Sequence, residues 1–370
     1  MPHDPYKALY LHVPFCVKRC GYCDFATRAV PRDDARIDGY VERVVLELRK
    51  ASKSGELADL DTAYIGGGTP THIGPARLSS LLYALSVSAD LTREGFELSM
   101  EANPESLDAR LVRDVWALGV NRLSIGVQSF DDEVLRVLGR AHDADGARRA
   151  IETAHERFEN VSVDLMCGIP GQNDDTFAAS VEEAVRLGVT HVSVYPLAIE
   201  AHTPFDQLVL AGEMDEPDDD AQAAQMERAS DLLEAAGFHR YEVASYARPG
   251  FECRHNIAYW TGVPYLGIGD SAATMTQNAE RRMRVTDGEV TDDLNRPQME
   301  AEDLMLGMRL ADGLPDARIE GARSFLPGLD DALRDLVAAG YLVQEGGRWR
   351  PTRQGWLCGN DLFSRLFDLA

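Results

Sequence analysis

The sequence predicts an α/β fold: a partial (β/α)6 TIM-like barrel followed by a small C-terminal winged-helix-like α+β unit. Six short β-rich apolar runs alternate with amphipathic helical stretches over the first two-thirds of the 370 residues. The runs lie roughly thirty residues or more apart, which leaves room for right-handed βαβ crossovers between parallel strands. Two helices and a hairpin follow near the end of the chain, an order typical of winged-helix units.

The barrel elements follow from the hydrophobic pattern. The predicted strands are residues 8–13, 62–66, 96–101, 122–127, 161–166 and 191–195. Helices are predicted over residues 33–50, 174–187 and 218–236. The first helix is the clearest, because its apolar residues recur at helical spacing on one face: Ile37, Tyr40, Val41, Val44, Val45 and Leu48.

The pattern changes after about residue 237. Residues 238–246 and 252–259 are predicted as short strands or extended segments, and a polar hairpin is predicted to turn at Asp287-Gly288. The C-terminal unit is predicted from helices at 299–310 and 329–339 and from strands at 341–344 and 348–351. We therefore divide the chain into a barrel (1–236), a β extension beside it (237–297) and the winged-helix-like unit (298–370).

Composition restricts the classes of partner. The chain carries 37 Lys and Arg against 61 Asp and Glu, a formal net charge of −24. Such a surface repels nucleic acid and anionic membranes, so no nucleic acid partner and at most transient membrane-surface contact are expected. No run approaches the ~18 apolar residues of a membrane helix, and no secretory signal is visible, so we expect a cytoplasmic protein.

Three of the six cysteines form the most informative motif of the chain. Cys16, Cys20 and Cys23 are spaced as Cys-x3-Cys-x2-Cys, which gives three thiolates, one fewer than full ligation of a cubane iron–sulfur cluster requires. A zinc site is the alternative, but zinc normally takes four ligands. The spacing resembles the signature of the radical S-adenosylmethionine (SAM) superfamily. That resemblance implies a [4Fe–4S] cluster with one open iron, which the amino and carboxylate groups of SAM chelate.

Chemically informative residues end each predicted strand in turn. The first strand leads to Cys16, and the others end at polar or glycine-rich segments: residues 66–70, Glu101, Gln128, Asp164 and residues 195–198. Catalytic groups of parallel barrels gather at these carboxyl ends. The sequence therefore predicts one site at the mouth of the barrel.

The residue types at this mouth suit the parts of SAM. The run Gly66-Gly67-Gly68 leaves the backbone bare, so that peptide groups can approach a ligand closely. The carboxylate of Glu101 suits an ammonium group, and the guanidinium of Arg140 suits a carboxylate. Gln128 and Asp164 are polar groups of the kind that bind ribose hydroxyls.

The resemblance becomes more specific over the whole chain. From about Tyr6 onward the sequence resembles the oxygen-independent coproporphyrinogen III oxidase-like (HemN-like) group of radical SAM proteins. That resemblance implies that Cys16, Cys20 and Cys23 hold the cluster. It also implies a SAM pocket lined by Tyr10, Gly67, Gly68, Thr69, Glu101, Gln128, Arg140 and Asp164. Ala198 and Ala273 are implied to line the neighbouring cavity.

Two departures separate the chain from the oxidases of that group. Those enzymes carry a fourth cysteine two residues after the third, where this chain has Phe25. They also have a long segment before the cluster loop, whereas fifteen residues precede Cys16 here. Both departures count against decarboxylation of a porphyrinogen.

A second motif points to a sister subgroup of heme chaperones. Its hallmark is His-Asn-x-x-Tyr-Trp, and this chain has His255, Asn256, Tyr259 and Trp260 at the four defined positions. Histidine is a normal axial ligand of heme iron, and the two aromatic rings suit the edge of a porphyrin. A histidine followed by aromatic residues is otherwise a common core pattern. The resemblance implies that this motif contacts heme.

The sequence thus predicts a heme chaperone on a radical SAM barrel. Its expected partners are heme, apo-hemoprotein acceptors such as respiratory enzymes, and an electron donor for the cluster. The alternative is an enzyme: an oxygen-independent coproporphyrinogen III dehydrogenase, or a HemN-like radical SAM methyltransferase or tetrapyrrole-modifying enzyme. Whether SAM is cleaved is left open by the sequence.

Overall fold

The structure, a computed structural model, describes residues 3–370. Its strands are β1 (Ala8–Val13), β2 (Phe15–Cys16), β3 (Arg28–Ala29), β4 (Thr62–Gly67), β5 (Glu97–Ala102), β6 (Arg122–Gln128), β7 (Asn160–Cys167), β8 (His191–Pro196), β9 (His239–Arg240), β10 (Ser245–Ala247), β11 (Tyr265–Ile268), β12 (Ala273–Gln277), β13 (Arg281–Thr286), β14 (Glu289–Asn295), β15 (Leu314–Pro315), β16 (Leu342–Glu345) and β17 (Arg348–Pro351).

Helices cover the outer side of the barrel and form most of the C-terminal unit. They are α1 (Ala35–Ser54), α2 (Pro75–Ser88), α3 (Ala109–Ala117), α4 (Asp132–Leu138), α5 (Ala144–His155), α6 (Asp174–Arg186), α7 (Pro204–Leu210), α8 (Asp219–Ala235), α9 (Arg254–Trp260), α10 (Arg296–Gly307), α11 (Asp316–Ala322), α12 (Leu329–Ala338), α13 (Arg353–Leu357) and α14 (Gly359–Phe367).

The main sheet confirms the predicted partial barrel. Within residues 3–370 it has twelve strands in the order β14-β13-β12-β11-β1-β4-β5-β6-β7-β8-β10-β9. The seven strands from β11 to β8 are parallel, and antiparallel strands flank them on both sides. The six predicted barrel strands all occur, with bounds within one residue of those expected. The seventh parallel strand, β11, lies in a glycine-rich stretch and was not predicted.

Local sequence explains the well-predicted elements. Helix α1 begins after Asp34, whose side chain accepts the backbone N–H of Arg36, and ends at Gly55, whose φ of 85° suits glycine. Its buried face holds the residues expected from the helical spacing, Ile37, Tyr40, Val41, Val44 and Leu48 among them. The hairpin of β13 and β14 turns at Asp287-Gly288, where both residues have positive φ, as a tight hairpin requires.

The barrel strands alternate between an apolar and a polar face. Their apolar side chains pack with the surrounding helices into one core, which includes Leu9, Leu11, Ile65, Leu98, Met100, Leu123, Ile125, Val163 and Val192. The residues between them face the other side of the sheet, toward the barrel lumen. They are largely polar: Tyr10, His12, Tyr64, Ser99, Glu101, Ser124, Asp164, Ser193 and Tyr195. The lumen of this barrel is therefore a polar chamber.

The C-terminal unit has its own apolar core. Leu304 of α10, Leu333 of α12 and Leu362 of α14 are buried together in it. Strands β15, β17 and β16 form a separate three-stranded sheet beside these helices, which gives the expected winged-helix-like order. Buried Arg282 of β13 pairs with Glu302 of α10, so an ion pair ties this unit to the main sheet. The domain boundaries at 236/237 and 297/298 stay predictions.

One element was predicted wrongly. Residues 252–259 were expected to be extended, but most of them belong to helix α9. The carboxylate of Glu97, distant in sequence, accepts the backbone N–H groups of Arg254 and His255 at 2.8 and 3.1 Å. This tertiary contact satisfies donors at the start of the helix, and no local capping residue signals it. Among residues 3–370 we find no helix whose length and apolar character would let it span a bilayer.

Candidate functional site

The cysteine loop lies at the mouth of the barrel and is held from two sides. Cys16 ends β2, and Cys20 and Cys23 follow in the next turns. The backbone N–H of Gly21 donates to the carbonyl of Leu138, and the carbonyl of Gly21 accepts from the N–H of Phe205. A Cβ on Gly21 would lie 2.3 Å from the Phe205 ring, so only glycine fits there. The loop that carries the thiols is therefore closely docked on its neighbours.

Two of the three sulfur atoms receive hydrogen bonds from expected site residues. Thr69 Oγ1 donates to Cys16 Sγ at 3.6 Å, and Arg140 Nη1 donates to Cys20 Sγ at 3.5 Å. Burial raises the pKa of the Cys16 thiol to about 11 in the absence of a metal cation. Donors of this kind stabilise thiolates, the form that ligates metals.

The donor set fits a three-thiolate iron–sulfur cluster. All three thiols are free and partly exposed, so they are available to a ligand. Among residues 3–370, no three His, Cys, Asp or Glu side chains converge on one point that could hold a single metal ion. The ligands of a cubane bind different iron atoms at different corners, so its three cysteines need not converge on one point.

The glycine run after β4 forms a cradle with no room for side chains. A Cβ on Gly66 would lie 2.9 Å from the Glu101 carboxylate, and one on Gly68 would lie 2.8 Å from the backbone of Phe15. Gly67 has a φ of 111°, and a Cβ there would meet the His12 ring at 2.5 Å. This geometry explains why the chain has glycine here, and it leaves backbone groups exposed to the lumen.

Two partly buried carboxylates face the lumen next to this cradle. Glu101 accepts the Gly67 N–H at 3.0 Å and the Tyr64 hydroxyl at 3.0 Å, and Ser124 donates to Asp164 at 3.3 Å. Burial, together with the charge of Asp164, raises the pKa of Glu101 to about 7, and burial raises that of Asp164 to about 6. A cationic ligand would offset this cost, so the pair suits a molecule that carries positive charge.

Arg140 belongs to a hydrogen-bonded chain that joins two of the cysteines. Its Nη2 donates to Asn103 Oδ1 at 2.7 Å, and Asn103 Nδ2 donates to Thr69 Oγ1 at 2.8 Å. The chain therefore runs from Cys20 through Arg140, Asn103 and Thr69 to Cys16. Arg140 Nε is buried without a partner among residues 3–370, which leaves one donor for a ligand.

Asn103 is a site residue that sequence reasoning missed. It follows Glu101 by two positions, directly after the end of β5, so its place at a strand end was an available signal. Its side chain meets those of Gln128 and Arg140 around Gly126, where a Cβ would lie 2.8 to 3.3 Å from the three of them. Gln128 has a φ of 66°, an unusual value for a residue other than glycine, and it adjoins an irregularity in the β6–β7 register.

The remaining expected pocket residues lie at different distances from this centre. Tyr10 faces the lumen beside Tyr64, with the two rings stacked at 6.3 Å between centroids. Ala198 is exposed just beyond β8, and Ala273 is the first residue of β12. The role of both alanines stays a prediction.

The second motif lies at the other end of the barrel. Helix α9 places His255 beside Thr62 and Glu97, which are the first residues of β4 and β5. Its side chain is buried, and both ring nitrogens are engaged. Thr62 Oγ1 lies 2.9 Å from Nδ1, and the Tyr259 hydroxyl lies 3.2 Å from Nε2. In this conformation neither nitrogen is free to bind an iron atom.

The other residues of the motif are partly exposed. Asn256, Tyr259 and Trp260 retain some surface. The Trp260 ring lies 5.1 Å from the guanidinium carbon of Arg309, so a cation–π contact links the motif to the C-terminal unit. Tyr259 also packs edge-on against Tyr265, at 4.8 Å between ring centroids. These three side chains border a surface that a flat ligand could reach.

The polar character of the lumen is also visible in the sequence, as a period-two alternation along the strands. The strands read with period two: Thr62, Tyr64 and Gly66 alternate with apolar residues, and Glu97, Ser99 and Glu101 do the same one strand later. Parallel strands buried on both faces are usually apolar throughout. Polar alternation in a parallel barrel therefore indicates a chamber that holds a ligand. It would have identified Tyr64, Ser124 and Tyr195.

Comparison with known proteins identifies the family. A model of the Radical SAM superfamily matches residues 10–184, and a model of the HemN C-terminal domain matches residues 294–358. The chain is similar to heme chaperone HemW of Mycobacterium tuberculosis, with 36% identity over 387 residues that cover 99% of this chain and 96% of the relative. Heme chaperone HemW of Bacillus subtilis is 34% identical, with 96% of this chain and 98% of the relative covered.

The fold is found in a solved structure of the same group. Coproporphyrinogen III oxidase (HemN) from Escherichia coli, a radical SAM enzyme, superimposes with a TM-score of 0.80 and 21% sequence identity. The match covers 99% of this chain and 91% of the oxidase, so it includes both the partial barrel and the C-terminal unit. Because its curated relatives exceed 30% identity over almost its full length, the chain belongs to the HemW family of the radical SAM superfamily.

Proposed function

We propose that this protein is a heme chaperone that binds a [4Fe–4S] cluster, SAM and heme and passes heme to an acceptor hemoprotein. The observation that carries the proposal is its similarity, over nearly the whole chain, to proteins named heme chaperone HemW. We also propose a cytoplasmic location, an electron donor for the cluster, and apo-hemoproteins such as respiratory enzymes as acceptors. The division into three domains at 236/237 and 297/298 belongs to the same proposal.

The mouth of the barrel would hold the cluster and SAM. Cys16, Cys20 and Cys23 would ligate three irons, and the bound pair would supply one-electron chemistry. The chain's own residues would orient SAM. The Gly67 cradle allows close approach of the ligand, and Glu101 binds its ammonium group. Other polar residues of the mouth bind its carboxylate and ribose. Those residues are Thr69, Gln128, Arg140 and Asp164, and Tyr10 would pack beside them.

Heme would be taken up at the His255 motif only after a local rearrangement. Ligation of heme iron would use one ring nitrogen of His255, so the side chain would give up its contact with either Thr62 or Tyr259, at about 0.5–1.5 kcal/mol for that hydrogen bond. Tyr259, Trp260 and Asn256 would then border the porphyrin.

The alternative proposal, an enzyme acting on a tetrapyrrole, is favoured by the fold likeness to coproporphyrinogen III oxidase. Against it stands Phe25, which replaces the fourth cysteine of those enzymes and is 65% exposed on the loop. A heme chaperone accounts for both the scaffold and this substitution.

The test is a heme titration of anaerobically reconstituted protein followed by the Soret band. We expect a stable complex, with affinity at least tenfold weaker in His255→Ala. The exposed His3 serves as the control, and His3→Ala should match the parent protein. Absence of a heme complex, together with conversion of coproporphyrinogen III by the protein with SAM and a reductant, would instead establish the enzyme. A complex indifferent to His255→Ala would move heme to another site.

A further inference from the structure

Tyr64 contacts both the expected SAM site and the expected heme site. Its hydroxyl donates to Glu101 Oε1 at 3.0 Å, and its ring stacks on the His255 ring at 5.2 Å between centroids and 30° between planes. No role was assigned to Tyr64 from the sequence. It is a single side chain whose two ends touch groups at opposite ends of the barrel.

Strand β4, which carries Tyr64, also contacts His255 and Glu101 through two other residues. On β4, Thr62 contacts His255 Nδ1 at 2.9 Å, and the N–H of Gly67 donates to Glu101 Oε2 at 3.0 Å. Strand β4 pairs with β1 and β5 on its two sides, so its backbone is held in the middle of the sheet. Glu101 and His255 are therefore joined by one side chain and by the strand that carries it.

The chemistry of Glu101 gives this connection a direction. Its carboxylate is partly buried without a cation in hydrogen-bond contact among residues 3–370. A cationic ligand favours the ionised form, and an O–H donor binds an ionised carboxylate about twice as strongly as a neutral acceptor. The ligand would thus hold the Tyr64 hydroxyl, and with it the ring, more firmly in place.

His255 must leave that ring to bind iron. Its two nitrogens are engaged by Thr62 and Tyr259, and its face lies on Tyr64. A Tyr64 fixed by Glu101 stabilises the buried arrangement of His255 at the expense of the iron-bound one. Two ligands that favour different arrangements of one element must lower each other's affinity by the same factor.

We propose that Tyr64 is a positioning residue that couples Glu101 to His255, so that SAM at the barrel mouth lowers the affinity of the chain for heme. The proposal rests on the proposed function, since it takes SAM at Glu101 and heme at His255. It gives SAM a role in heme release that requires no cleavage of SAM. By reciprocity, bound heme weakens SAM to the same extent.

The experiment measures heme affinity by the Soret band, in reconstituted protein with and without saturating SAM. In the parent protein we expect the dissociation constant for heme to rise about fivefold with SAM, at the low end of allosteric couplings. Tyr64→Phe keeps the ring but loses the hydroxyl, and the ratio should fall to about one. Tyr83, which is 62% exposed, provides the control, and Tyr83→Phe should keep the parent ratio.

A second readout separates positioning from a merely structural role. The titratable groups that face Glu101 are Tyr10 on β1, Tyr64 on β4, Arg122 on β6, Asp164 on β7 and Tyr195 on β8. Among these, the Tyr64 hydroxyl lowers the pKa of Glu101, so its loss raises that pKa. SAM binding that depends on ionised Glu101 weakens as the pH falls through the pKa. In Tyr64→Phe the midpoint of that loss should move to higher pH, with the Soret maximum of the heme complex unchanged.

Each outcome is decisive. A parent protein whose heme affinity ignores SAM, while His255→Ala still weakens heme, overturns the coupling and leaves the proposed function intact. Heme binding that His255→Ala does not change overturns the heme site of the proposed function itself. A Tyr64→Phe variant that keeps the fivefold ratio removes Tyr64 from the connection. Loss of the ratio together with an unmoved pH midpoint also contradicts the assignment.

Discussion

The two ends of this barrel are built from similar residue types but differ in how fully their polar groups are satisfied. At the mouth, Glu101 and Asp164 are partly buried carboxylates with raised pKa values, and Arg140 Nε has no partner among residues 3–370. At the floor, the opposite end where β4 and β5 begin, His255 has both ring nitrogens engaged and Glu97 accepts two backbone N–H groups, although Arg122 Nε there also has no partner among the described residues. Ionised carboxylates at the mouth are costly until a cation binds, whereas the hydrogen bonds to Glu97 stabilise the start of helix α9.

This contrast shows that a buried polar residue can indicate either a ligand site or a structural contact. A buried polar residue without a partner is a reason to expect a ligand. A buried polar residue with all its partners in place first of all explains the fold. The mouth therefore favours the proposed SAM site in its present conformation, whereas the proposed heme site at the floor requires a change of conformation. Four predictions, ordered from the largest expected effect, test this comparison.

The largest effect is expected at the cysteine loop. Cys20→Ala removes one of three ligands, so reconstituted protein should lose its visible iron–sulfur absorption and most of its iron and sulfide. The fold should remain, because the loop lies on the rim and Cys20 is partly exposed. Far-ultraviolet circular dichroism checks the fold, and the exposed Cys358→Ala is the control. A full cluster in Cys20→Ala would remove this residue from the ligand set.

The next effect is on stability at the floor. Glu97→Ala removes the carboxylate that caps helix α9, and it leaves the buried Arg122 nearby without that charge. We expect the free energy of unfolding to fall by about 3 kcal/mol, the scale found when one partner of a buried charge is removed. Denaturant unfolding measures it. The exposed Glu94→Ala should stay within about 0.5 kcal/mol of the parent. Equal free energies of unfolding for the two variants would contradict a structural role for Glu97.

A comparable change at the mouth should be detected in ligand binding. Arg140→Ala should weaken SAM by about 1.5–3 kcal/mol, the scale of a hydrogen bond to a charged group. Isothermal titration under anaerobic conditions measures this loss. Arg136 lies four residues earlier and pairs with Glu133 on the surface, and Arg136→Ala is the matched control. If Arg140→Ala binds SAM as the parent does, the guanidinium has no part in the pocket.

The smallest effect is a pair of opposite pH dependences. Glu101 has a folded-state pKa of about 7 against an ordinary 4.5, so its contribution to stability declines as the pH rises between those values. Burial lowers the pKa of His255 to about 3 from an ordinary 6.5, so its contribution to stability rises with pH between about 3 and 6.5. Each slope is at most about 1.4 kcal/mol per pH unit. Ligand-free Glu101→Gln and His255→Gln should change the measured slope in opposite directions, and changes of the same sign would contradict both shifts.

The extent of what the sequence could predict differs between elements. Strands β1 and β4 to β8 were found because each is a short β-rich segment between helical stretches. Strand β11 was missed because it is four residues long and contains Gly267, where a Cβ would lie 2.3 Å from the carbonyl oxygen of Ala273. Helix α9 was missed because Glu97, 157 residues before Arg254, supplies its cap. A local pattern cannot report a partner so distant along the chain.

By itself the sequence determined the partial barrel, the three-thiolate loop and the glycine cradle, because spacing and residue type act over a few neighbouring positions. Only the tertiary structure decided which polar groups are satisfied. It joined Asn103 to Arg140, buried His255 against Thr62 and Tyr259, and placed Tyr64 between Glu101 and His255. Hydrogen bonding and desolvation depend on which strands become neighbours, and that information exists only once the chain has folded.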